Sequence, residues 1–472
     1  MLHKRSLTFV IVAILLATLG VGLASAGAYD TSFTTSITYQ NVGDGTATIN
    51  LLFYDSPTST SPITVPLSNL AAGAGSSVFV GSLGDVDPGF EGTAIMQSDQ
   101  PLLATLVQVP QGSTTVKVRP LSNGFSSGGP TALIATVLKN TFDENVIISV
   151  QNIDTEQNDV TVTFYDTAAN DVHTITQANL EPGAGFYVDA GQISELGTSF
   201  NGSAVVTAVR NDSTDGNIIA SALDLKINGV GGLAFESVPS GGLTFYMPTA
   251  LCNVFGGQNT SYAIQNTSLD TATNVTVEYS SGDTETKTIG PGAKASFVAC
   301  DVNDGGFTGS AVVTSDTTAI IAVGKAYGAG LSTGFMGAAS GYESLALPYV
   351  RYTSDANYLA GTRQRVFIAI QNVGASDVSN VTVEYVDKNG AVVGTHTIAS
   401  IAAGAKANSN ASNAGLTEFG YYNDNTFGGS VIITGPAGSQ LVAIARVNTC
   451  TANNGTTCTL LAGEDYNAMP VP

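Results

Sequence analysis

Short segments in which apolar and polar residues alternate recur along the chain. Residues 160–165, 275–279 and 381–385 place valine at alternate positions, with threonine or glutamate between. Because successive side chains of a β-strand point to opposite faces, this alternation predicts strands with one buried side and one side facing solvent. We expect an all-β chain in which helices are nearly absent.

A larger pattern repeats around these strands. A Gln-Asn pair precedes a tyrosine by 14 positions at four places, and successive pairs are 106 to 114 residues apart. The four occurrences are Gln40-Asn41 with Tyr54, Gln151-Asn152 with Tyr165, Gln265-Asn266 with Tyr279, and Gln371-Asn372 with Tyr385. Four equal spacings indicate one structural unit that was duplicated along the chain.

Two further landmarks follow each tyrosine. A turn containing Gly-Ala comes first, and glycine supplies the positive φ that such turns require. A Phe-x-Gly motif comes second and opens another apolar run, such as residues 310–314. The turns lie at Gly73-Ala74, Gly183-Ala184, Gly292-Ala293 and Gly404-Ala405, and the motifs begin at Phe90, Phe200, Phe307 and Phe427. Several short strands and turns in each period indicate a β-sandwich.

These motifs resemble the immunoglobulin-like, cell-adhesion-related (CARDB-like) repeats of bacterial extracellular proteins, in which an Asn-Val-Thr-Val-x-Tyr strand precedes Pro-Gly-Ala and a late glycine-rich hairpin. The first repeat departs from this pattern, because residues 48–53 read Thr-Ile-Asn-Leu-Leu-Phe. The resemblance implies adhesion, spacing or matrix roles and supplies no catalytic residues.

The N-terminus has the features of a secretory signal peptide. Lys4 and Arg5 precede an apolar run over residues 7–23, and Ala24-Ser25-Ala26 supplies a small-x-small cleavage site. We therefore predict a signal peptide over 1–26 and an exported protein, secreted or held at the cell surface. The alternative is an uncleaved anchor, because the apolar run approaches the length of a bilayer span. No other long apolar stretch is present, so after cleavage we expect no membrane contact.

The sequence thus predicts four tandem immunoglobulin-like β-sandwich domains after the signal peptide, arranged as a rod or chain with four separate cores. The predicted domains are residues 27–128, 129–242, 243–341 and 342–472, the last with a C-terminal tail.

Charge and cysteine content limit the expected partners and the expected chemistry of the cysteines. The formal net charge of -21 repels phosphate backbones, so nucleic acid is excluded as an expected partner. Four cysteines in an exported chain indicate disulfides, and we expect Cys252 to pair with Cys300 and Cys450 with Cys458, each within one domain. Neither pair has the Cys-x-x-Cys spacing of a zinc site.

Two kinds of chemical site have partial matches in the sequence. Gly-x-Ser-x-Gly occurs at 124–128 and 330–334. A nucleophile elbow needs a helix and a nearby histidine, whereas this sequence shows no helix and has only three histidines. We therefore expect no enzymatic activity.

Aspartates near the Phe-x-Gly motifs are candidate calcium ligands, with ordinary turn formation as the alternative. They are Asp85, Asp87, Asp301, Asp304 and Asp424. Apart from calcium, no cofactor is expected.

The ends of the chain suggest self-association. Proline-bearing apolar segments near Pro130, Pro248 and Pro348 precede the later repeats, whereas the first repeat lacks such an opening strand once the signal peptide is removed. The C-terminal Met469, Pro470, Val471 and Pro472 read as an extra copy of that segment. We predict a structural protein of the cell surface or extracellular matrix, assembling into filaments or a surface layer by head-to-tail strand addition. The alternatives are a complete set of four repeats, and an adhesin that binds a cell-surface glycan or protein through domain-tip loops.

Overall fold

The computed structural model describes residues 27–355, 358–421, 428–451 and 459–471. These residues form eight antiparallel sheets, which lie in four pairs along the chain and are called units 1 to 4 here. Helix in the described part is limited to α1 (Ala299–Val302) and short 3-10 segments. The 3-10 segments are Val80–Ser82, Ala190–Gln192, Ser194–Leu196 and Ala411–Ala414. The all-β prediction is confirmed, and the predicted signal peptide lies outside the described residues.

Unit 1 has seven strands in a four-stranded and a three-stranded sheet. The strands are β1 (Phe33–Asn41), β2 (Ile49–Tyr54), β3 (Ile63–Pro66), β4 (Gly75–Phe79), β5 (Thr93–Ser98), β6 (Leu102–Pro110) and β7 (Leu121–Asn123). The strand orders are β4-β1-β6-β7 and β3-β2-β5.

Unit 2 has eight strands in two four-stranded sheets. The strands are β8 (Thr131–Lys139), β9 (Glu144–Asn152), β10 (Asn158–Asp166), β11 (Asp171–Leu180), β12 (Gly185–Asp189), β13 (Phe200–Arg210), β14 (Ile218–Lys226) and β15 (Gly232–Glu236). The orders are β12-β9-β14-β15 and β11-β10-β13-β8. The second sheet therefore contains an opening strand, β8, that has no counterpart in unit 1.

Unit 3 repeats the arrangement of unit 2. The strands are β16 (Thr244–Cys252), β17 (Asn259–Asn266), β18 (Thr273–Tyr279), β19 (Thr284–Ile289), β20 (Lys294–Val298), β21 (Phe307–Ser315), β22 (Ile320–Gly328) and β23 (Leu331–Met336). The orders are β20-β17-β22-β23 and β16-β21-β18-β19.

Unit 4 carries one additional terminal strand. The strands are β24 (Ser344–Leu347), β25 (Thr362–Asn372), β26 (Val378–Asp387), β27 (Val392–Ile401), β28 (Lys406–Ser409), β29 (Gly429–Thr434), β30 (Leu441–Thr451), β31 (Leu460–Asn467) and β32 (Met469–Pro470). The orders are β28-β25-β30-β31 and β27-β26-β29-β24-β32. Sheet pairing does not determine which segments fold independently, so the domain boundaries stay a prediction.

Strand β10 illustrates how the alternating pattern builds these sheets. Val160, Val162 and Phe164 are fully buried. The intervening Thr161 and Thr163 lie on the solvent side of the sheet, next to threonines of β11. Burying a large aliphatic or aromatic side chain stabilises the fold by roughly 1.5–3 kcal/mol. The inward face therefore holds the sandwich together, and the outward face keeps it soluble.

The four units form a closed cycle instead of the expected rod. The last strands of the four inner sheets, β7, β15, β23 and β31, pack around a common centre. Outer contacts join the units in the same order: Thr93 Oγ1 donates to Gly183 O at 2.8 Å, Ser203 Oγ to Gly292 O at 2.6 Å, Lys406 Nζ to Gly309 O at 2.6 Å, and Gly75 N to Lys388 O at 3.3 Å. Since unit 4 contacts unit 1, the chain closes on itself.

The cores are also less separate than the sequence suggested. Units 2 and 3 share one continuous apolar cluster, which includes Tyr54 of unit 1 and Ile444 of unit 4. The core of unit 4 extends to Val107 and Leu121 of unit 1. The expectation of four separate cores was wrong, because apolar side chains also line the contacts between units.

Candidate functional site

The asparagine of the repeated Gln-Asn pair is a structural residue. Asn152 is fully buried, and its side-chain amide donates to the carbonyls of Glu156 at 2.9 Å and Leu180 at 2.8 Å. Asn41, Asn266 and Asn372 are equally buried and make the corresponding pairs of bonds. The asparagine thus ties the end of one strand to the following loop and to the residue three positions before the turn glycine. A buried amide without these partners would be costly.

The glutamine of the same pair joins neighbouring units. Gln151 Nε2 donates to Gly183 O at 2.9 Å within unit 2 and approaches Ala94 O of unit 1 at 3.4 Å. Gln265 repeats this arrangement with Gly292 O at 3.2 Å and Ala204 O at 3.4 Å. The motif therefore positions the turn glycine and links it to the preceding unit.

The repeated tyrosine has two different roles. Tyr54 lies against the Gly183 turn of unit 2, where a Cβ would come within 2.2 Å of the ring, and Tyr165 lies against Gly292 of unit 3 in the same way. Tyr279, in contrast, packs inside its own unit. Its ring meets Phe307 edge-on at 6.2 Å. Glycine is required at positions 183 and 292 both by the positive φ and by these rings.

A buried ion pair closes the cycle at the centre. Arg119 precedes β7 and binds Glu464 of β31, with Nε to Oε1 at 2.5 Å and Nη2 to Oε2 at 3.0 Å. Arg119 also donates to the Tyr349 hydroxyl, and its guanidinium lies 4.1 Å from the centroid of the Tyr358 ring. Burial alone would lower the pKa of Arg119, but Glu464 outweighs that effect and raises it. Unit 1 and unit 4 are therefore held by a charged contact that water does not reach.

A second charged cluster joins units 2 and 3. Lys325 of unit 3 pairs with Asp224 of unit 2 and contacts Glu144 at 3.5 Å. Burial raises the pKa of Asp224 to about 6. Lys294, which donates to Thr136 Oγ1 at 2.6 Å, is fully enclosed, and burial together with the Lys325 ammonium lowers its pKa to about 7. Lys325 therefore bridges the two units through Asp224 and Glu144, whereas Oδ1 of Asp224 has no hydrogen-bond partner among the described residues.

Glu236 is the acidic group of the centre that has no ion-pair partner among the described residues. The residue is partly exposed, but its carboxyl group lies among the central strands and accepts a hydrogen bond from Asn123 N. Burial raises its pKa to about 7. Between the unfolded pKa of roughly 4.5 and about 7, the folded chain holds a proton that the unfolded chain has lost. The free energy of unfolding therefore falls as the pH rises through that range.

We expect Glu236→Gln to stabilise the protein at pH 8 by about 1–3 kcal/mol and to have little effect at pH 5, because the neutral amide removes the cost of the buried carboxylate. Urea denaturation at both pH values measures the difference. Glu278→Gln on the exposed side of β18 is the control, and we expect it to change neither value. An equal effect of Glu236→Gln at both pH values would contradict the assignment.

The candidate calcium ligands do not form a cluster. Asp85 and Asp87 are exposed in the loop before β5, and Asp301 and Asp304 are exposed near α1. Within the described residues no group of three or more histidine, cysteine, aspartate or glutamate side chains could hold a metal ion. Asp424 lies outside the described residues. The positions of the other four aspartates give the calcium hypothesis no geometric support.

The structure joins Cys252 to Cys300, with their Cα atoms 4.9 Å apart. The bond connects the end of β16 to α1, which follows β20 in the opposite sheet, and so ties the two sheets of unit 3 together. Cys450 is buried in β30. Its expected partner, Cys458, lies outside the described residues, and that pairing stays a prediction.

The Gly-x-Ser-x-Gly serines are not placed at a strand-to-helix elbow. Ser332 lies within β23, and Ser126 lies in the connection between units 1 and 2. The described histidines are on outer strands: His173 on β11, and His396 on β27, where its Nδ1 is 2.9 Å from Ser409 Oγ. Within the described residues, neither histidine belongs to a serine–histidine–acid arrangement.

The C-terminal segment closes its own unit. Met469 and Pro470 pair with Ala346 and Leu345 of β24. The corresponding bridges are Val238 to Leu133 in unit 2 and Ala338 to Tyr246 in unit 3. The tail is therefore the counterpart of these closing segments and is not an extra opening strand, which corrects the sequence interpretation. Val471 N donates to Ser344 O at 3.2 Å, and Pro472 is not described. A role of these residues in joining copies stays a prediction.

The central ion pairs were missed at the sequence level. Glu464 and Asp465 follow the apolar residues 460–462 in β31, and Asp224 lies between Leu223 and Leu225 in β14. In a chain with only 11% charged residues, charges within apolar strands were the available signal. Such a residue is rarely buried unless it is paired.

Comparison with known proteins defines no family for this chain. No family model and no curated protein matches it. Among solved structures, it is similar to the tetra-tandem repeat in the extending region of a large adhesion protein. The identity is 14%, the match covers 91% of this chain and 93% of that chain, and the TM-score is 0.11. The resemblance to cell-adhesion-related repeats stays a prediction. In the described part of the chain, no helix has both the length and the apolar character needed to cross a membrane.

Proposed function

We propose that the chain is an exported, non-enzymatic protein with a structural or adhesive role outside the cell. The observation that carries this proposal is the use made of the repeated motif residues. Gln151, Gln265, Tyr54 and Tyr165 fasten one unit to the next. The central ionisable groups do the same, so the molecule acts as one preassembled block.

A protein of this kind works through its outer surface and its strand edges. The disulfide of unit 3 suits an oxidising compartment. The net charge of -21 keeps such a block soluble and repels anionic surfaces. The finer function that we propose is assembly of these blocks, with a partner or with further copies, into a surface layer or extracellular filament.

Imaging decides between assembly and simple binding. We expect antibodies against the protein to label intact, unpermeabilised cells, and negative-stain electron microscopy of the purified chain to show ordered filaments or sheets, alone or with surface extract. Labelling that requires permeabilised cells would contradict export. A purified chain that stays monomeric under every condition, yet binds cells, would favour an adhesin.

The adhesin alternative rests on two exposed loop tips. Phe142 follows β8 in unit 2, and Phe255 follows β16 in unit 3; each is 69% exposed. Their φ angles are 55° and 49°, a left-handed conformation that is uncommon for phenylalanine. Exposed aromatic side chains on loops are typical of binding surfaces.

For this alternative we expect Phe142→Ser combined with Phe255→Ser to lower binding to a glycan array or to cells at least tenfold without changing the melting temperature. Leu269→Ser, at a residue 55% exposed in another loop, is the matched control. Unchanged binding by the double variant would remove the loop tips from consideration.

A further inference from the structure

Strand β5 of unit 1 lies at the edge of its sheet, whereas the corresponding strands of the other three units lie inside theirs. Its counterparts β13, β21 and β29 each pair on their outer side with an opening strand, namely β8, β16 and β24. The register identifies the equivalence, because Thr93 faces Tyr54 as Ser203 faces Tyr165. No described strand pairs with the outer side of β5.

The missing strand leaves an apolar slot. Five core-facing side chains that line it are partly exposed, whereas their counterparts in unit 2 are between 0 and 2% exposed. The matched pairs are Ala94 with Ala204, Met96 with Val206, Leu102 with Ile218, Ala104 with Ala220, and Leu106 with Ala222. The same five positions are thus covered when an opening strand is present and uncovered when it is absent.

The chain immediately before unit 1 does not fill the slot. Ala28 N donates to Gly229 O and Tyr29 N to Lys226 O, both at 2.9 Å, so this segment lies against the end of β14 in unit 2. The C-terminal strand is also engaged elsewhere, on β24. The described parts of the chain therefore supply no occupant.

Strand β5 also lacks the features that protect natural edges. It reads Thr-Ala-Ile-Met-Gln-Ser, without charge or proline. Exposed edges normally carry lysine, proline or a bulge that prevents pairing with another chain. Outer strand β3 ends in Pro66, and outer strand β19 carries Glu285 and Lys287. The edge of β5 is thus left open to a partner strand.

From this geometry we infer that unit 1 accepts an extended segment of a partner polypeptide, which adds antiparallel to β5 as the fourth strand of its sheet. Strand β8 shows the required chemistry, since Ala132, Leu133 and Ile134 lie opposite Val206, Val205 and Ala204. The segment should be uncharged over about six residues, with small or aliphatic side chains, because both of its faces become buried. This inference names the partner chemistry of the proposed assembly function and rests on it.

Charge specifies the flanks of that segment. Glu91 lies two positions before β5 and Asp99 directly after it, and both are exposed. The template strand β8 ends with Lys139, which faces Phe200, the counterpart of Phe90. We therefore assign lysine or arginine to the ends of the partner segment, where it meets these carboxylates.

A synthetic peptide tests the slot directly. A fluorescent peptide with the sequence of residues 131–139 is titrated with the purified full chain and followed by anisotropy. We expect saturable binding, a loss of affinity of at least tenfold for Met96→Asp, and no loss for Gln97→Lys, which lies next to it on the exposed face. A peptide with aspartate in place of Ala132 and Ile134 should not bind. Circular dichroism verifies that each variant is folded.

Crosslinking tests the register without a charge in the core. With oxidised glutathione as the oxidant, Ile95→Cys in the chain and Leu133→Cys in the peptide should form a mixed disulfide, because the counterpart of Ile95, Val205, faces Leu133. Absence of saturable binding and of this crosslink, also with peptides of β16 and β24, overturns the inference. A concentration-dependent dimer that Met96→Asp abolishes would instead assign the slot to a second copy. Peptide binding by a chain that never reaches the cell surface would refute the proposed function alone.

Discussion

Arg119→Ala should destabilise the protein by about 3–5 kcal/mol, because it leaves the Glu464 carboxylate buried without its cation. The side chains of Arg119 and Glu464 are 7% and 0% exposed, so solvent cannot replace the lost partner. The variant also loses the contacts of the guanidinium with Tyr349 and Tyr358. Urea denaturation at pH 7, followed by intrinsic tyrosine fluorescence, measures the change.

The same variant tests whether the four units close into a cycle. Arg119 belongs to unit 1 and Glu464 to unit 4, 345 positions apart. Small-angle X-ray scattering should therefore show a larger radius of gyration for Arg119→Ala than for the unaltered chain. The control is Arg210→Ala, which breaks the ion pair with Asp154 inside unit 2.

The Arg210 side chain is 35% exposed but that of Asp154 is only 3% exposed, so Arg210→Ala should also lower the stability. Because this pair lies within one unit, the control should leave the radius of gyration unchanged. The double variant Arg119→Met with Glu464→Met should recover most of the loss, since apolar replacement removes both buried charges. An unchanged denaturation midpoint for Arg119→Ala would contradict the buried pair.

The strand pattern within each unit could be predicted from the sequence because it depends on near neighbours. Residues 160–165 fall inside β10 (Asn158–Asp166), and the turn before β12 has Gly183 at a φ of 80°. The lack of an opening strand in unit 1 was also predictable, since it follows from counting residues between motifs. Even the divergent first repeat forms its strand, β2, because Ile49, Leu51 and Phe53 keep the alternation.

The contacts between units could not be predicted in the same way. They depend on side chains that are distant in sequence and that meet only after four sheet pairs have packed. Gln265 gave no indication of its bond to Ala204, and nothing near Arg119 pointed to Glu464. The Gln-Asn and Gly-Ala motifs marked the repeat, but their role in joining units required the three-dimensional arrangement. For the same reason the sequence suggested a rod, although the chain closes.

Removing the disulfide of unit 3 should have an effect of similar size. Cys252 and Cys300 are 48 positions apart, and closing a loop of that length reduces the entropy of the unfolded chain by an amount worth about 4 kcal/mol at 25 °C. The bond also fixes the end of opening strand β16 to the opposite sheet. We expect Cys252→Ala combined with Cys300→Ala to lower the free energy of unfolding by about that amount, measured by urea denaturation without reductant.

The predicted bond between Cys450 and Cys458 provides the matched control. Its loop spans 8 positions, and the same relation gives about 2.5 kcal/mol for it. We therefore expect Cys450→Ala combined with Cys458→Ala to cost roughly 1.5 kcal/mol less than the unit 3 variant. Adding dithiothreitol should abolish the difference between the unaltered chain and both variants. If the two double variants were equally stable, loop length would not determine the contribution of the unit 3 disulfide, and local packing of Cys252 against β17 would have to account for it.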